Sequence, residues 1–103
     1  ISTTIICSEK IIIGRDVQIG RNVTIRDNNG GHYINRQGYK NSRPVVIGDK
    51  VWLCEGCVIM PGVKIGDGAI VGAHAFVTSN VPAHALVSGN PAVVVDEDIL
   101  WKY

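Results

Sequence analysis

The sequence predicts an all-β solenoid, a parallel β-helix. Three observations predict it. An aliphatic recurs every sixth position over most of the length: Ile1, Ile13, Ile19 and Ile25, then Ile47, Leu53, Ile59, Ile65, Val71 and Val77, with Cys7 in phase with the first run. Two positions ahead of these stands a second small or apolar column: Ile5, Ile11, Val17, Val23, Val45, Val51, Cys57, Val63, Ala69 and Ala75. Glycine often follows the aliphatic, as at Gly14, Gly20, Gly48, Gly66 and Gly72. A period of six is neither the helical 3.6 nor the plain strand period of two. A fixed short period marks stacked repeats, none of which can bury its own apolar face.

Each repeat reads as a strand and a corner. Val17-Gln18-Ile19 and Val63-Lys64-Ile65 run in-out-in, a very short strand with one face inward. Polar pairs follow, such as Arg15-Asp16, Arg21-Asn22 and Asp49-Lys50. Glycine tolerates the positive φ of a sharp corner, and Asn or Asp tolerates it next best. Stacked coils then pair their strands in parallel over one aliphatic column. A sandwich of short strands would show hairpin turns every 8–12 residues instead, which the six-residue phase opposes.

The phase breaks twice. Ile25 and Ile47 are 22 positions apart, which is not a multiple of six. The segment at about 27–44 reads as a loop ejected from the coil. It is polar and rich in Gly and Asn, and it holds His32, Tyr33, Arg36, Tyr39, Lys40 and Arg43. Solenoids tend to carry function in such a loop. The second break is the proline-bounded stretch from Val81 to Ala92, which is expected to end the coil pattern. In the closing segment, about 82–103, Val93 to Val95 suit one last strand. Asp96 suits the cap of a short C-terminal helix from Glu97 to about Lys102.

Size and charge bound the function. At 103 residues the chain is one domain. A solenoid this short is narrow and needs its faces or ends covered, so oligomerisation is expected. A net charge of +1 gives no case for nucleic acid or an anionic membrane. No apolar run long enough to insert in a membrane and no signal-peptide pattern is present. The chain lacks an initiating Met and starts in repeat phase, so it reads as a fragment lacking its N-terminal segment. Its three cysteines suit a reduced, cytoplasmic protein. Cys54 and Cys57 form a C-x-x-C, but no second pair follows. Cys57 fills an inward slot, and Cys54 stands where other repeats have a corner glycine.

Three stretches are more specific than the period: Ile47-Gly48-Asp49-Lys50-Val51-Trp52-Leu53, Pro61-Gly62-Val63-Lys64-Ile65-Gly66-Asp67-Gly68-Ala69, and Gly89-Asn90-Pro91-Ala92. Through them the chain resembles the hexapeptide-repeat acyltransferases, in particular the branch of maltose, galactoside and polysaccharide O-acetyltransferases. The resemblance covers nearly the whole chain. It implies a left-handed parallel β-helix; chain physics alone favours right-handed crossovers. It further implies a homotrimer with active sites between subunits, acetyl-coenzyme A as acyl donor, no metal, and a sugar acceptor. His32, in Gly30-Gly31-His32, matches the family's general base, and an imidazole suits that task near neutral pH. Asp27, Asn28 or Asn29 would orient the imidazole or bind the acceptor, and the sequence does not rank them. The coenzyme groove would use Trp52, Glu55, Gly72, Ala73, Thr78 and Ser79. The chain departs from its relatives at Ser79, Val93 and Asp96, where they often carry cations suited to coenzyme phosphates.

His74, at an outward repeat position, and His84, in the proline-bounded tail, read as solvated. Two other functions fit parts of the pattern. One is a non-catalytic trimerisation or scaffold module. The other is a zinc carbonic anhydrase, whose site needs three convergent His ligands. His32, His74 and His84 lie 42 and 10 positions apart, without the close pair such sites use.

Overall fold

The computed structural model describes residues 2–29, 37–38 and 40–102. Its strands are β1 (Thr4–Ile6), β2 (Ile11–Ile13), β3 (Gln18–Ile19), β4 (Thr24–Arg26), β5 (Val45–Ile47) and β6 (Trp52–Leu53). They continue as β7 (Val58–Ile59), β8 (Lys64–Ile65), β9 (Ile70–Val71), β10 (Phe76–Val77), β11 (Leu86–Ser88) and β12 (Val93–Asp96). They form three sheets, ordered β1-β4-β7-β10, β2-β5-β8 and β12-β11-β9-β6-β3. From β1 to β10 successive strands fall on successive sheets, so the chain winds round a three-sided prism, a left-handed parallel β-helix. The sheets are called the first, second and third faces below, in the order the chain meets them.

Strand pairing shows where coils are regular. Ile47 pairs with Ile65, Leu53 with Val71 and Ile59 with Val77, each 18 residues on. Three six-residue repeats thus make one turn. Across the loop the offset grows to 34, with Ile13 on Ile47, Ile19 on Leu53 and Ile25 on Ile59. The inward columns from Val23 to Val87 are buried and form one core. Both inward positions of each repeat point the same way because side chains alternate along a strand. Ile11, Ile13, Val17 and Ile19, in the first coil, are partly buried against that core.

Three expectations are corrected. Cys7 does not stand in the inward column, because Ile5 pairs with Ile25 at an offset of 20. Two extra residues widen the first turn and place Cys7 at an exposed corner. Secondly, the coil does not end at Val81. Val81 bridges Ile65 and Val87 pairs with Val71, both at an offset of 16, so Val81, Ala85 and Val87 remain inward and buried. Pro82 sits at an exposed corner, where its missing N–H costs no ladder bond.

The third correction is the C-terminal helix, which is absent. Val93–Asp96 is a strand, antiparallel to β11, and Glu97 to Lys102 continue without helix. Asp96 does bond the N–H of Glu97 through its side chain, at 2.8 Å, but no helical turn follows. The tail runs back beside the coil instead. Ile99 N–H donates to the His84 carbonyl at 2.9 Å, and the Trp101 indole donates to the Lys50 carbonyl at 3.0 Å. Six residues make a marginal helix in water, and docking Trp101, 8% exposed, outweighs it.

The corners carry the strained backbone. Asp16, Lys50 and His84 hold φ of 57°, 53° and 60°, stacked in register with Gly68 at 73° on the corner between the second and third faces. Asn22, at 56°, and His74, at 59°, lie with Gly56, at 73°, on the corner between the third and first faces. Asp67 accepts the N–H of Asp49 at 2.7 Å, and Asp49 accepts that of Arg15 at 2.8 Å. Such carboxylates satisfy corner N–H groups that strand pairing leaves open.

Candidate active site

The ejected loop leaves from the corner between the first and second faces. His32 lies outside the described residues, as do Tyr33, Arg36 and Tyr39. The neck of the loop is described. Asn28 and Ser42 form an antiparallel bridge, the Arg43 N–H donates to the Asp27 carbonyl at 2.8 Å, and the Asn29 amide donates to the Asn41 side-chain oxygen at 2.6 Å. The two legs therefore run side by side, joined by these contacts.

Asp27, Asn28 and Asn29 are thus brought together, but in unequal settings. Asp27 is fully buried. Its Oδ1 accepts the Ser8 N–H at 2.9 Å and the Asn28 amide at 2.9 Å. Its Oδ2 accepts the N–H groups of Glu9 at 2.8 Å and Lys10 at 2.7 Å. Burial works to raise its pKa, but the bonds from Ser8, Asn28, Glu9 and Lys10 outweigh it and hold the carboxyl at about 2. Both oxygens are engaged by the first coil and by Asn28. Asn28 and Asn29 are half-buried.

The residues expected around the coenzyme fall on two different edges of the prism. Glu55, Gly72 and Ala73 lie on the corner between the third and first faces, with Trp52 outward on the third face beside them. Thr78 and Ser79 lie on the corner between the first and second faces, above the neck of the loop. One protomer does not bring these sets together. Gly72 also has a packing reason to be glycine, since a Cβ there would stand 3.1 Å from the Val87 carbonyl oxygen.

Trp52 is 40% exposed and meets Trp101 with ring centroids 5.7 Å apart at 44°. The Lys50 ammonium sits 5.7 Å from the Trp101 ring centre. Gln18, Trp52, Trp101 and Lys102 line an open hollow of about 360 Å³. Trp101 is a site residue that the expected C-terminal helix concealed. Its signal was an apolar cluster, Ile99-Leu100-Trp101, directly after the acidic run Asp96-Glu97-Asp98.

His74 and His84 are exposed and stand on different corners. Cys57 is buried, and burial with the neighbouring Cys54 pushes its thiol up to about 12. Burial likewise raises Cys54. Neither is a ready nucleophile. Among the described residues no group of three His, Cys, Asp or Glu side chains is placed to hold a metal ion.

Residues 44–79 match the model of the bacterial transferase hexapeptide, six repeats. The galactoside O-acetyltransferase of Escherichia coli K12 is 37% identical over 98 residues, which cover 91% of this chain and 47% of that protein. A galactoside acetyltransferase solved in complex with coenzyme A superposes with a TM-score of 0.82 at 34% identity, covering 94% of this chain and 50% of the other. The polysialic acid O-acetyltransferase OatWY superposes with a TM-score of 0.87 at 30% identity, covering 98% of this chain and 50% of the other. The chain spans about half the length of these relatives. Repeats, fold and relatives agree, and the chain belongs to the hexapeptide-repeat acetyltransferase family.

Proposed function

We propose that this chain is the catalytic coil of an acetyl-coenzyme A-dependent O-acetyltransferase that acetylates a sugar hydroxyl, in the assembly of a surface polysaccharide. The carrying observation is the likeness over nearly the whole chain to a coenzyme A-bound galactoside acetyltransferase and to a polysialic acid O-acetyltransferase. His32 acts as general base. Its imidazole takes the hydroxyl proton while the sugar oxygen attacks the thioester carbonyl. The C–S bond then breaks, and the coenzyme leaves as thiolate and takes the proton from the imidazolium. Backbone N–H groups of the coil suit the oxyanion. Transfer is direct, so Cys54 and Cys57 need no part, in keeping with their raised pKa values.

The protein works as a homotrimer with its groove between subunits. The split of Glu55, Gly72 and Ala73 from Thr78 and Ser79 supports this, because a second copy is needed to bring one edge against the other. It acts in the cytoplasm, where its acyl donor is made. Among the described residues no helix is long and apolar enough to cross a membrane.

The test is a thiol-release assay with acetyl-coenzyme A and a panel of galactosides and sialosides. His32→Ala should lower kcat by roughly 10²–10⁴-fold, the usual value of a positioned base, with coenzyme affinity kept. Full activity in that variant removes the base. Light scattering should give three chains of 11.1 kDa. A monomer at micromolar concentration removes the shared groove, and no coenzyme binding by calorimetry favours a scaffold role.

A further inference from the structure

Three consecutive backbone N–H groups, those of Ser8, Glu9 and Lys10, converge on one carboxylate. Convergent N–H groups of this kind form an anion-binding concavity. Here the anion is supplied from within the chain, by Asp27. The Cys7 thiol, 3.7 Å away, and the Ser8 hydroxyl, 3.5 Å away, point at the same carboxylate. The widened first turn, with its two extra residues, is what wraps the N–H groups round it.

The main chain of Asp27 reaches the other way. Its N–H donates to the Ile6 carbonyl at 3.1 Å and its carbonyl accepts from Arg43 at 2.8 Å. Arg43 in turn accepts the Gly62 N–H at 3.2 Å. A second tie joins the same parts, as the Ser8 and Ser42 hydroxyls lie 2.9 Å apart. Asp27 thus ties the first coil to both legs of the loop, and Arg43 carries the tie on to the next coil.

We propose that Asp27 is a positioning residue: its carboxylate, seated in the N–H cradle of Ser8, Glu9 and Lys10, fixes the direction in which the neck at Asp27–Asn29 and Asn41–Arg43 carries the ejected loop off the coil. This rests on the proposed role of His32 in that loop. The carboxylate is spent on the cradle, so it does not serve the acceptor. A neutral or absent side chain leaves the three N–H groups of the turn facing an empty or mismatched partner, and the turn and neck relax together. A displacement of about 1 Å at a reacting group costs on the order of 10²-fold in rate.

The test is Asp27→Ala with formate as a replacement anion, read in the thiol-release assay with acetyl-coenzyme A and a nitrophenyl galactoside. Coenzyme affinity is followed by calorimetry. The expected result is a fall in kcat of roughly 10- to 100-fold, coenzyme affinity within about twofold of wild type, and partial recovery of kcat in formate that wild type does not show. A folded Asp27→Ala that keeps wild-type kcat, or one that formate leaves unchanged, overturns the proposal. If that variant does not fold, Ser42→Ala decides. It cuts the exposed tie without emptying the cradle, and it should lower kcat severalfold with coenzyme affinity kept. Wild-type kcat in Ser42→Ala then overturns the proposal. His32→Ala, run alongside, separates the readings: full activity there removes the base, whereas loss there with full activity in Asp27→Ala removes the positioning role alone.

Discussion

The imidazole of His74 lies over Gly56 of the preceding coil, in the space a Cβ on Gly56 would take. The same relationship recurs between His84 and Gly68. Each histidine closes a corner over a glycine that must itself hold a positive φ, 73° in both cases. Both are therefore corner residues with packing roles, though exposed.

Gly56→Ala meets both obstacles at once. It should destabilise the fold by about 2–3 kcal/mol, with roughly 1 kcal/mol from the backbone conformation. Adding His74→Ala should return the collision part and leave the backbone part. Chemical denaturation of the single and double variants measures this, and an unchanged midpoint in Gly56→Ala would contradict the corner geometry.

Ile59 is fully buried between Ile25 and Val77 in the stacked column of the first face. Ile59→Ala should cost about 2–5 kcal/mol, the range for deleting a large aliphatic from a packed core. Ile12→Ala, at an outward and 45% exposed position of β2, should change stability by less than about 0.5 kcal/mol. Equal effects in thermal melts would mean that inward and outward faces are misassigned.

Asp27 also sets an acid limit. Its native pKa, about 2, is below its ordinary 3.8, so the carboxylate form favours the folded state. That contribution is complete above 3.8 and is lost as pH falls through about 2. The stability gap between wild type and Asp27→Asn should therefore be constant near neutrality and shrink across that window. A gap that widens on acidification would reverse the sign and exclude a seated carboxylate.

Ser79 is exposed on the corner above the loop neck. Ser79→Lys should tighten coenzyme A binding by up to about 1 kcal/mol, the scale of an exposed ion pair, and the gain should fade in high salt. Calorimetry at two ionic strengths reads both. No gain at low salt places the coenzyme phosphates away from this corner.

Native Cys57 should resist alkylation by iodoacetamide at pH 8, because it is buried and its thiol is pushed up to about 12. It should react once the chain is unfolded. Mass mapping of labelled peptides checks this. Rapid native labelling of Cys57 would mean that the coil opens at β7.

The period of six by itself determined the solenoid and nearly all of its core, from Val23 to Val77. That is because each inward side chain depends only on local alternation and on an identical neighbour one coil away. The glycine directly after each aliphatic, as at Gly48 and Gly66, read as the positive-φ corner, but that conformation falls two residues on, at Lys50 and Gly68. Cys7 was misplaced because counting by six cannot see two residues added to a turn; pairing with Ile25 sets the register. The continuation of the coil through Val87 was hidden likewise by a coil two residues short. Trp101 was illegible, since its place depends on Trp52 and the Lys50 carbonyl, some 50 positions away. Asp27 read as a polar loop residue with an open role. Only the tertiary structure decided that its charge is buried, because the N–H groups that hold it belong to a turn 17 to 19 residues earlier. Local pattern specifies what repeats, and long-range pairing decides where the pattern is interrupted.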